Sequence, residues 1–455
     1  MLFTEAASKA RTLPDNPYLT GLHTPMTEEL TLEDLPVTGV IPAGLDGRYL
    51  RMGPNPMAPN RQKHHWFAGD GMVHGVRLQG GRAAWYRNRW IRSDAVAKAL
   101  VEPRTPGPRH LFDTVNTNVV GFAGKTLGVV EAGSTPVELD EMLQTVRYTD
   151  FDDTLKGGFT AHPHRDPLTG EMLGVCYDAS KWRALRFVVL GPEGKVRREV
   201  RIPVKNGPMI HDFAFTRRFA IILDLPVTFS LAAAITGHHF PYRWNEGRGA
   251  RVGLLPREGK GAAVTWLPVD PCFVFHAINA YDAPDGTVVL DVIVHDRMFW
   301  RRTSGPDSEQ CAFERWTLDP VAGTVGRIVI DPAPQEFPRP DERRLGQPYR
   351  YAYTMALTDP FLGTGLFKHD LVEGTRQAHD FGRGRHPCEF IFVPAHADAG
   401  EDEGWLMGFV IDADTRTTDL VILDARRFED APLASIHLPH IVPPGFHGNW
   451  IANAD

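Results

Sequence analysis

The sequence predicts an all-β chain, and three observations carry that reading. Short runs rich in β-branched and aromatic residues recur on either side of turn-forming clusters, from the first third of the chain to its end. Helical periodicity is confined to a few short pieces. The 43 glycines and 37 prolines are spread evenly, so no linker or change of composition marks a boundary, and residues 1–455 read as one continuous domain. A long chain of antiparallel hairpins has to hide its strand edges, and radial repetition into a propeller leaves only short, protected ones. No exact internal repeat announces blades, so on pattern alone a large sandwich and a double-stranded β-helix stay open beside the propeller.

Taken in order, Thr4 to Arg11 and Ser93 to Val101 read as short helices. Arg165 to Val175 is a hairpin whose turn starts at Asp166-Pro167. Val188 to Val196, Tyr281 to Leu290, Leu318 to Val325 and Val410 to Leu423 repeat the pattern, each with proline or aspartate ahead of glycine or a polar cluster. Leu225 to Gly237 (LPVTFSLAAAITG) is the most apolar segment and carries a helical piece from Phe229 to Ile235. It is shorter than the ~18–20 residues that cross a bilayer. Two readings suit it: a peripheral membrane contact at a tunnel mouth, or a buried packing helix.

Composition excludes several classes of function. Net charge is −7 with lysine and arginine scattered, so no basic face recommends itself for nucleic acid. The four cysteines, Cys176, Cys272, Cys311 and Cys388, form no C-x-x-C pair, which argues against a zinc knuckle or a secreted disulfide scaffold. The first residues, MLFTEAASKARTLPDNPY, show no basic start followed by an apolar run. A cytoplasmic location, with peripheral membrane association through Leu225 to Gly237, is the expectation.

The chemistry-bearing stretch is Gly157 to Glu171, which holds His162, His164 and Asp166. His162 and His164 would share one face of a strand. His164-x-Asp166 has the spacing of two ligands of a 2-His-1-carboxylate iron site, as in a 2-oxoglutarate-type oxygenase. One histidine among 19 is more often a surface or satisfied core residue. Three more, His211, His276 and His447, each interrupt an apolar run that otherwise reads as buried strand, and a buried imidazole needs a partner. Successive spacings of 49, 65 and 171 residues fit no local metal motif. If the hairpin units are arranged radially, histidines from separate units can converge on the axis as a four-nitrogen site.

These residues sit within ten ordered motifs that together span nearly the whole chain: Arg51-Met-Gly-Pro-Asn-Pro, His65-Trp-Phe-Ala-Gly-Asp-Gly-Met-Val-His, Thr117-Asn-Val-Val, Val130-Glu-Ala-Gly, Phe159-Thr-Ala-His-Pro, Ile210-His-Asp-Phe, Phe275-His-Ala-Ile-Asn-Ala, Gln335-Glu-Phe-Pro, Cys388-Glu-Phe-Ile-Phe-Val-Pro and Gly445-Phe-His-Gly-Asn-Trp. In content and order they resemble the motifs of the carotenoid cleavage oxygenases. The resemblance implies a seven-bladed β-propeller with helical loops capping one face, and a non-haem Fe(II) held on its axis by His162, His211, His276 and His447. It implies that Glu131, Glu336 and Glu389 accept hydrogen bonds from ligand imidazoles, fixing their tautomers and raising their basicity. His164 falls where the family carries a non-ligand residue, and His65, His74, His440 and Asp282 are expected to serve the scaffold.

The implied reaction is O₂-dependent cleavage of an alkene C=C bond into two carbonyl products, on an apolar carotenoid or apocarotenoid. A sister activity on a stilbene or phenylpropene, such as lignostilbene, isoeugenol or vinylguaiacol, is the alternative. Relatives that act on phenolic stilbenes have a lysine before the first of these glutamates, where this chain has Val130. A propeller used only as a binding platform would need neither the four histidines nor the three glutamates.

Overall fold

The computed structural model describes residues 16–178, 181–238, 240–259, 261, 263–302, 304–358 and 362–453. Among them, seven antiparallel sheets of four to six strands succeed one another along the chain, with one extra two-stranded ribbon. They form a seven-bladed β-propeller, and of the three architectures left open by pattern the propeller is the one adopted.

Blade I holds Gly47–Pro54, Gly71–Gln79 and Arg82–Trp90. Blades II to VI then follow within residues 118–148, 164–203, 214–269, 273–331 and 335–379. Blade VII is built on Gly404–Asp412, Thr417–Asp424 and Ala434–Leu438. Both ends of the chain close the ring. The last strand, Gly448–Ala452, pairs with Gly47–Pro54 as the inner strand of blade I, while Val37–Gly39 pairs with Ala434–Leu438 as the outer strand of blade VII. Blade I and blade VII are thereby each completed by a strand from the other end of the sequence.

Strand burial follows position in the blade. The second strand of blade V, Val288–His295, is buried on both faces except for Val289, whereas the outer strand of blade III, Val196–Pro203, keeps Val200 and Ile202 inside and turns Arg197, Glu199 and Arg201 outward. Phe187, Phe273, Phe313 and Trp316 fill the spaces between blades with at most 1% exposure. Burying each such ring stabilises the fold by roughly 1.5–3 kcal/mol.

All the hairpins read from the sequence form: 164–176, 184–203, 273–295, 311–331 and 404–424 each contain two paired strands across the expected turn. Of the helices, Thr4 to Arg11 lies outside the described residues. Ser93 to Val101 forms α1 (Asp94–Ala99), which Ser93 caps through the Val96 N–H. The expected piece from Phe229 to Ile235 divides: Val227–Phe229 is a strand, and α2 covers only Leu231–Ile235. Phe229 is drawn into the strand by pairing with Tyr242, and Ser230 then caps α2 through the Ala233 N–H. The segments over the site face are thus mostly irregular loops with short helical turns. Among the described residues no helix is long and apolar enough to cross a membrane.

Candidate metal centre

Each of the seven blades sends one residue of interest to the same end of the axis. His447 precedes the inner strand of blade I, Glu131 follows the second strand of blade II, and His162 and His211 precede the inner strands of blades III and IV. His276 and Glu336 lie within the inner strands of blades V and VI, and Glu389 sits in the break between Arg385–Pro387 and Ile391–Pro394 of blade VII. Regular strand would send alternate residues to the two faces of a blade; these side chains leave at irregularities instead. The ladder slips between Val274 and Ala277 beside His276, and between Glu336 and Arg339. Phe337, next to Glu336, and Ala132, next to Glu131, hold positive φ of 51° and 63°. Bulges and left-handed residues of this kind re-aim a side chain at the cost of local strain.

The four histidines are buried, and one ring nitrogen of each lies within 4.8 Å of the others. Nε2 of His211 is 3.1 Å from Nε2 of His162 and 3.3 Å from Nε2 of His276. The opposite ring nitrogens of three rings are held by carboxylates: Nδ1 of His211 by Glu131 at 2.9 Å, of His276 by Glu336 at 2.5 Å, and of His447 by Glu389 at 2.9 Å. A carboxylate only accepts, so each of these Nδ1 atoms carries the proton and each Nε2 presents a lone pair. Lone pairs converging in a buried space repel unless a cation sits among them. Two nitrogens about 2.1 Å from one ion, with bonds near a right angle, stand about 3 Å apart, close to the spacing found. The donor set therefore fits a divalent metal, with nitrogen ligands only and three carboxylates to offset its charge.

The electrostatics differ from ring to ring. Burial, reinforced by the neighbouring imidazoles, holds His162 well below the ordinary histidine range. Burial lowers His447 to about 4 despite Glu389. For His276 burial is outweighed by the Glu336 carboxylate, and the net shift is upward. Burial of Glu336 and Glu389 is likewise outweighed, by His276 and by the Arg339 guanidinium respectively, and both carboxyls are held below their usual range.

A cavity of about 470 Å³ opens onto the cluster and is lined by His211, His276 and His447 together with Glu131 and Glu336. Its other walls are largely aromatic, with Phe67, Phe240, Phe275, Phe337 and Phe446 prominent, and Val130 stands beside Glu131. This size and lining suit a mostly apolar ligand.

The remaining expectations for histidine also have answers. His164 turns away from the cluster to Asp212 at 2.8 Å, and Asp166 pairs with Arg257, so the H-x-D spacing builds no site. His74 and His440 both bond the Tyr86 hydroxyl, at 2.9 and 3.2 Å. His65 takes the Phe67 N–H at 3.1 Å, and Asp282 holds Thr216 and Arg218. Two residues near the site escaped the sequence reading. Arg339, whose Nε is 3.2 Å from Glu389, gave no local signal. His295, 3.0 Å from Glu336, ends the apolar run Val288–His295 and carried the same mark that singled out His211 and His276.

The family model described as retinal pigment epithelial membrane protein matches residues 23–452. A carotenoid cleavage oxygenase of Mycobacterium tuberculosis is 41% identical, over 96% of this chain and 97% of its own. The chain belongs to the carotenoid cleavage oxygenase family.

Two solved structures extend the comparison. The lignostilbene dioxygenase of Pseudomonas brassicacearum matches with a TM-score of 0.87 at 27% identity, over 97% of this chain and 99% of that one. Cobalt-substituted apocarotenoid oxygenase of Synechocystis matches with a TM-score of 0.84 at 27% identity, over 94% and 97%. As a carotenoid cleavage oxygenase, the chain is an O₂-dependent dioxygenase that cleaves carbon–carbon double bonds.

Proposed function

We propose that this carotenoid cleavage oxygenase holds Fe(II) on His162, His211, His276 and His447 and cleaves one C=C bond of an extended apolar polyene, an apocarotenoid or carotenoid, to two carbonyl products. The observation that carries the reading is a buried four-imidazole cluster opening directly into an aromatic-walled cavity. When bound, iron supplies the one-electron chemistry that triplet O₂ needs to react with a closed-shell alkene. The atoms balance without a further reductant, since each carbon of the broken bond takes one oxygen of O₂.

The chain's own groups divide the remaining work. Glu131, Glu336 and Glu389 keep the Nδ1–H tautomer of three imidazoles, so that each Nε2 stays a donor toward the metal. Phe67, Phe275 and Phe337 exclude water from the cluster and orient an apolar chain by shape. Val130 offers the substrate an apolar surface where a phenol would need a charged or hydrogen-bonding partner. The ring closure between the two ends of the sequence supports reading the whole chain as one unit.

We also assign the peripheral membrane contact to α2. It forms the tip of a hairpin, Val227–Phe229 with Tyr242–Trp244, whose returning segment walls the cavity with Phe240 and Tyr242. Leu231 and Ile235 are 58% and 77% exposed at that tip, while Leu225 and Val227 are buried. The segment thus combines the two readings open to it, a packed base and an apolar tip.

The test is to load purified protein with Fe(II), incubate it with a carotene, an apocarotenal and a 4-hydroxystilbene, and identify products by mass under ¹⁸O₂. Two carbonyl products from a polyene, each carrying label, are expected. Activity supported by zinc alone would refute the iron reading. The structural likeness to a lignostilbene dioxygenase keeps the stilbene as the second substrate class to be tested.

A further inference from the structure

His295 is fully buried and neither lines the cavity itself nor belongs to the four converging rings, yet it is tied to both. Its Nε2 lies 3.0 Å from Oε1 of Glu336, and its Nδ1 lies 3.0 Å from the hydroxyl of Ser308. The other Glu336 oxygen, Oε2, accepts the Nδ1–H of His276 and the backbone N–H of Phe337, each at 2.5 Å. Because the carboxylate can only accept, the direction of the chain is fixed. His295 donates through Nε2 to Glu336, which leaves its Nδ1 to accept from Ser308.

We propose that His295 is a positioning residue for the metal: it locks Glu336 in the rotamer that faces His276, and so keeps the Nε2 lone pair of His276 aimed at the cluster. The proposal rests on the reading that the four imidazoles hold a metal. Glu336 has no solvent exposure, so Oε1 has no water to turn to when its donor is lost. The carboxylate then rotates toward another donor or takes up a proton, and either change loosens its hold on His276. Glu389 is anchored differently, by the Gly448 N–H at 2.8 Å and Arg339 at 3.2 Å. The Glu336 anchor instead leads outward to Ser308, half-buried on the loop between Val288–His295 and Cys311–Asp319, two residues from Pro306 in the cavity wall. The position of that loop is therefore linked to the aim of a ligand imidazole.

The test is Co(II) titration of metal-stripped protein, read by visible absorption, with thermal unfolding of the stripped protein in parallel. His295→Phe keeps a ring and removes the donor; His295→Gln places an N–H near the former Nε2. The expected result is Co(II) binding at least ~10-fold weaker in His295→Phe and within ~3-fold of the parent in His295→Gln, as for loss and retention of an outer partner of a metal ligand. Ser308→Ala, nearer the surface, is expected to weaken binding two- to fivefold and is the deciding variant should His295→Phe not fold. Parent affinity in His295→Phe, or in Ser308→Ala in that event, overturns the proposal. Equal loss of affinity in the Phe and Gln variants overturns it as well, because it marks a packing role. A parent protein that binds no Co(II) overturns the metal reading itself, which separates the two failures.

Discussion

Nδ1 of His276 and Oε2 of Glu336 are 2.5 Å apart, and the carboxylate that accepts this proton is wholly enclosed. The pair differs from its counterpart at His447, where Glu389 is also 3.2 Å from the half-buried Arg339. Replacing any of the three glutamates by glutamine should weaken metal retention ~10–100-fold, since an amide oxygen is a poorer acceptor. Glu389→Gln should add a loss of stability, because it removes the more enclosed of the two carboxylates, Glu389 and Glu342, that the mostly enclosed Arg339 guanidinium pairs with. Metal titration together with thermal unfolding separates the effects: Glu131→Gln should change the first and hardly the second. Full metal retention in all three variants would refute the assignment.

Alanine at His162, His211, His276 or His447 should abolish both metal retention and turnover. His164→Ala should keep both, because that ring faces Asp212, which has other donors in the Phe213 and Ala277 N–H groups. Its cost is one hydrogen bond, about 1 kcal/mol of stability. Metal analysis of the five purified variants decides the point, and the opposite pattern at positions 162 and 164 would mean the wrong neighbour has been chosen.

How far the sequence reached into this site follows from what each residue type signals locally. A histidine breaking an apolar run is visible because burial of an imidazole is costly, and that mark led to His211, His276 and His447. Their convergence was not visible, since it depends on blades closing in a ring through strand pairs such as Arg48 with Ile451, far apart in sequence. Glu131, Glu336 and Glu389 look like surface strand residues, and only the family resemblance drew attention to them. The hairpins were legible from turn chemistry, whereas α2 was placed too early because pairing of Phe229 with Tyr242 overrides local helical preference.

Metal-free protein should lose stability on acidification below neutrality. Burial lowers His369 and His440 to about 4 in the fold, from an ordinary value near 6.5. Between those values the unfolded chain binds protons that the folded chain does not, so folding weakens as pH falls from about 6.5 to about 4. A fall of Tm by several degrees between pH 7 and pH 5 is the expectation, smaller in His369→Gln. A flat Tm profile over this range would contradict it.

Membrane docking through α2 is tested at its tip. Phe229 is a poor choice for substitution because its ring packs against Trp182 and Tyr242, so its loss would disturb the fold. Leu231 and Ile235 are largely exposed. Changing both to serine should reduce co-sedimentation with liposomes at least severalfold and shift Tm little. Unchanged liposome binding would show that another surface makes the contact.

The choice between polyene and phenol turns on Val130, which lines the cavity beside Glu131 and can neither pair with a phenolate nor accept its proton. A site that hydrogen-bonds a substrate hydroxyl discriminates strongly against analogues that lack it, whereas an apolar wall gains only by contact area, about 25 cal/mol per Å². The wild type is therefore expected to show a kcat/KM on an apocarotenal at least ~10-fold above that on a 4-hydroxystilbene. Val130→Lys should narrow or reverse the ratio, by burying an ammonium that a phenolate can neutralise and a hydrocarbon cannot. Glu131 is the neighbouring residue, so metal content must be measured in the same preparation to separate a change of substrate preference from a disturbed Glu131–His211 pair. If the wild type prefers the stilbene by tenfold or more, other polar groups on the wall must hold the phenol. Asn116 and Thr117, which line the same cavity, would be the first positions to substitute.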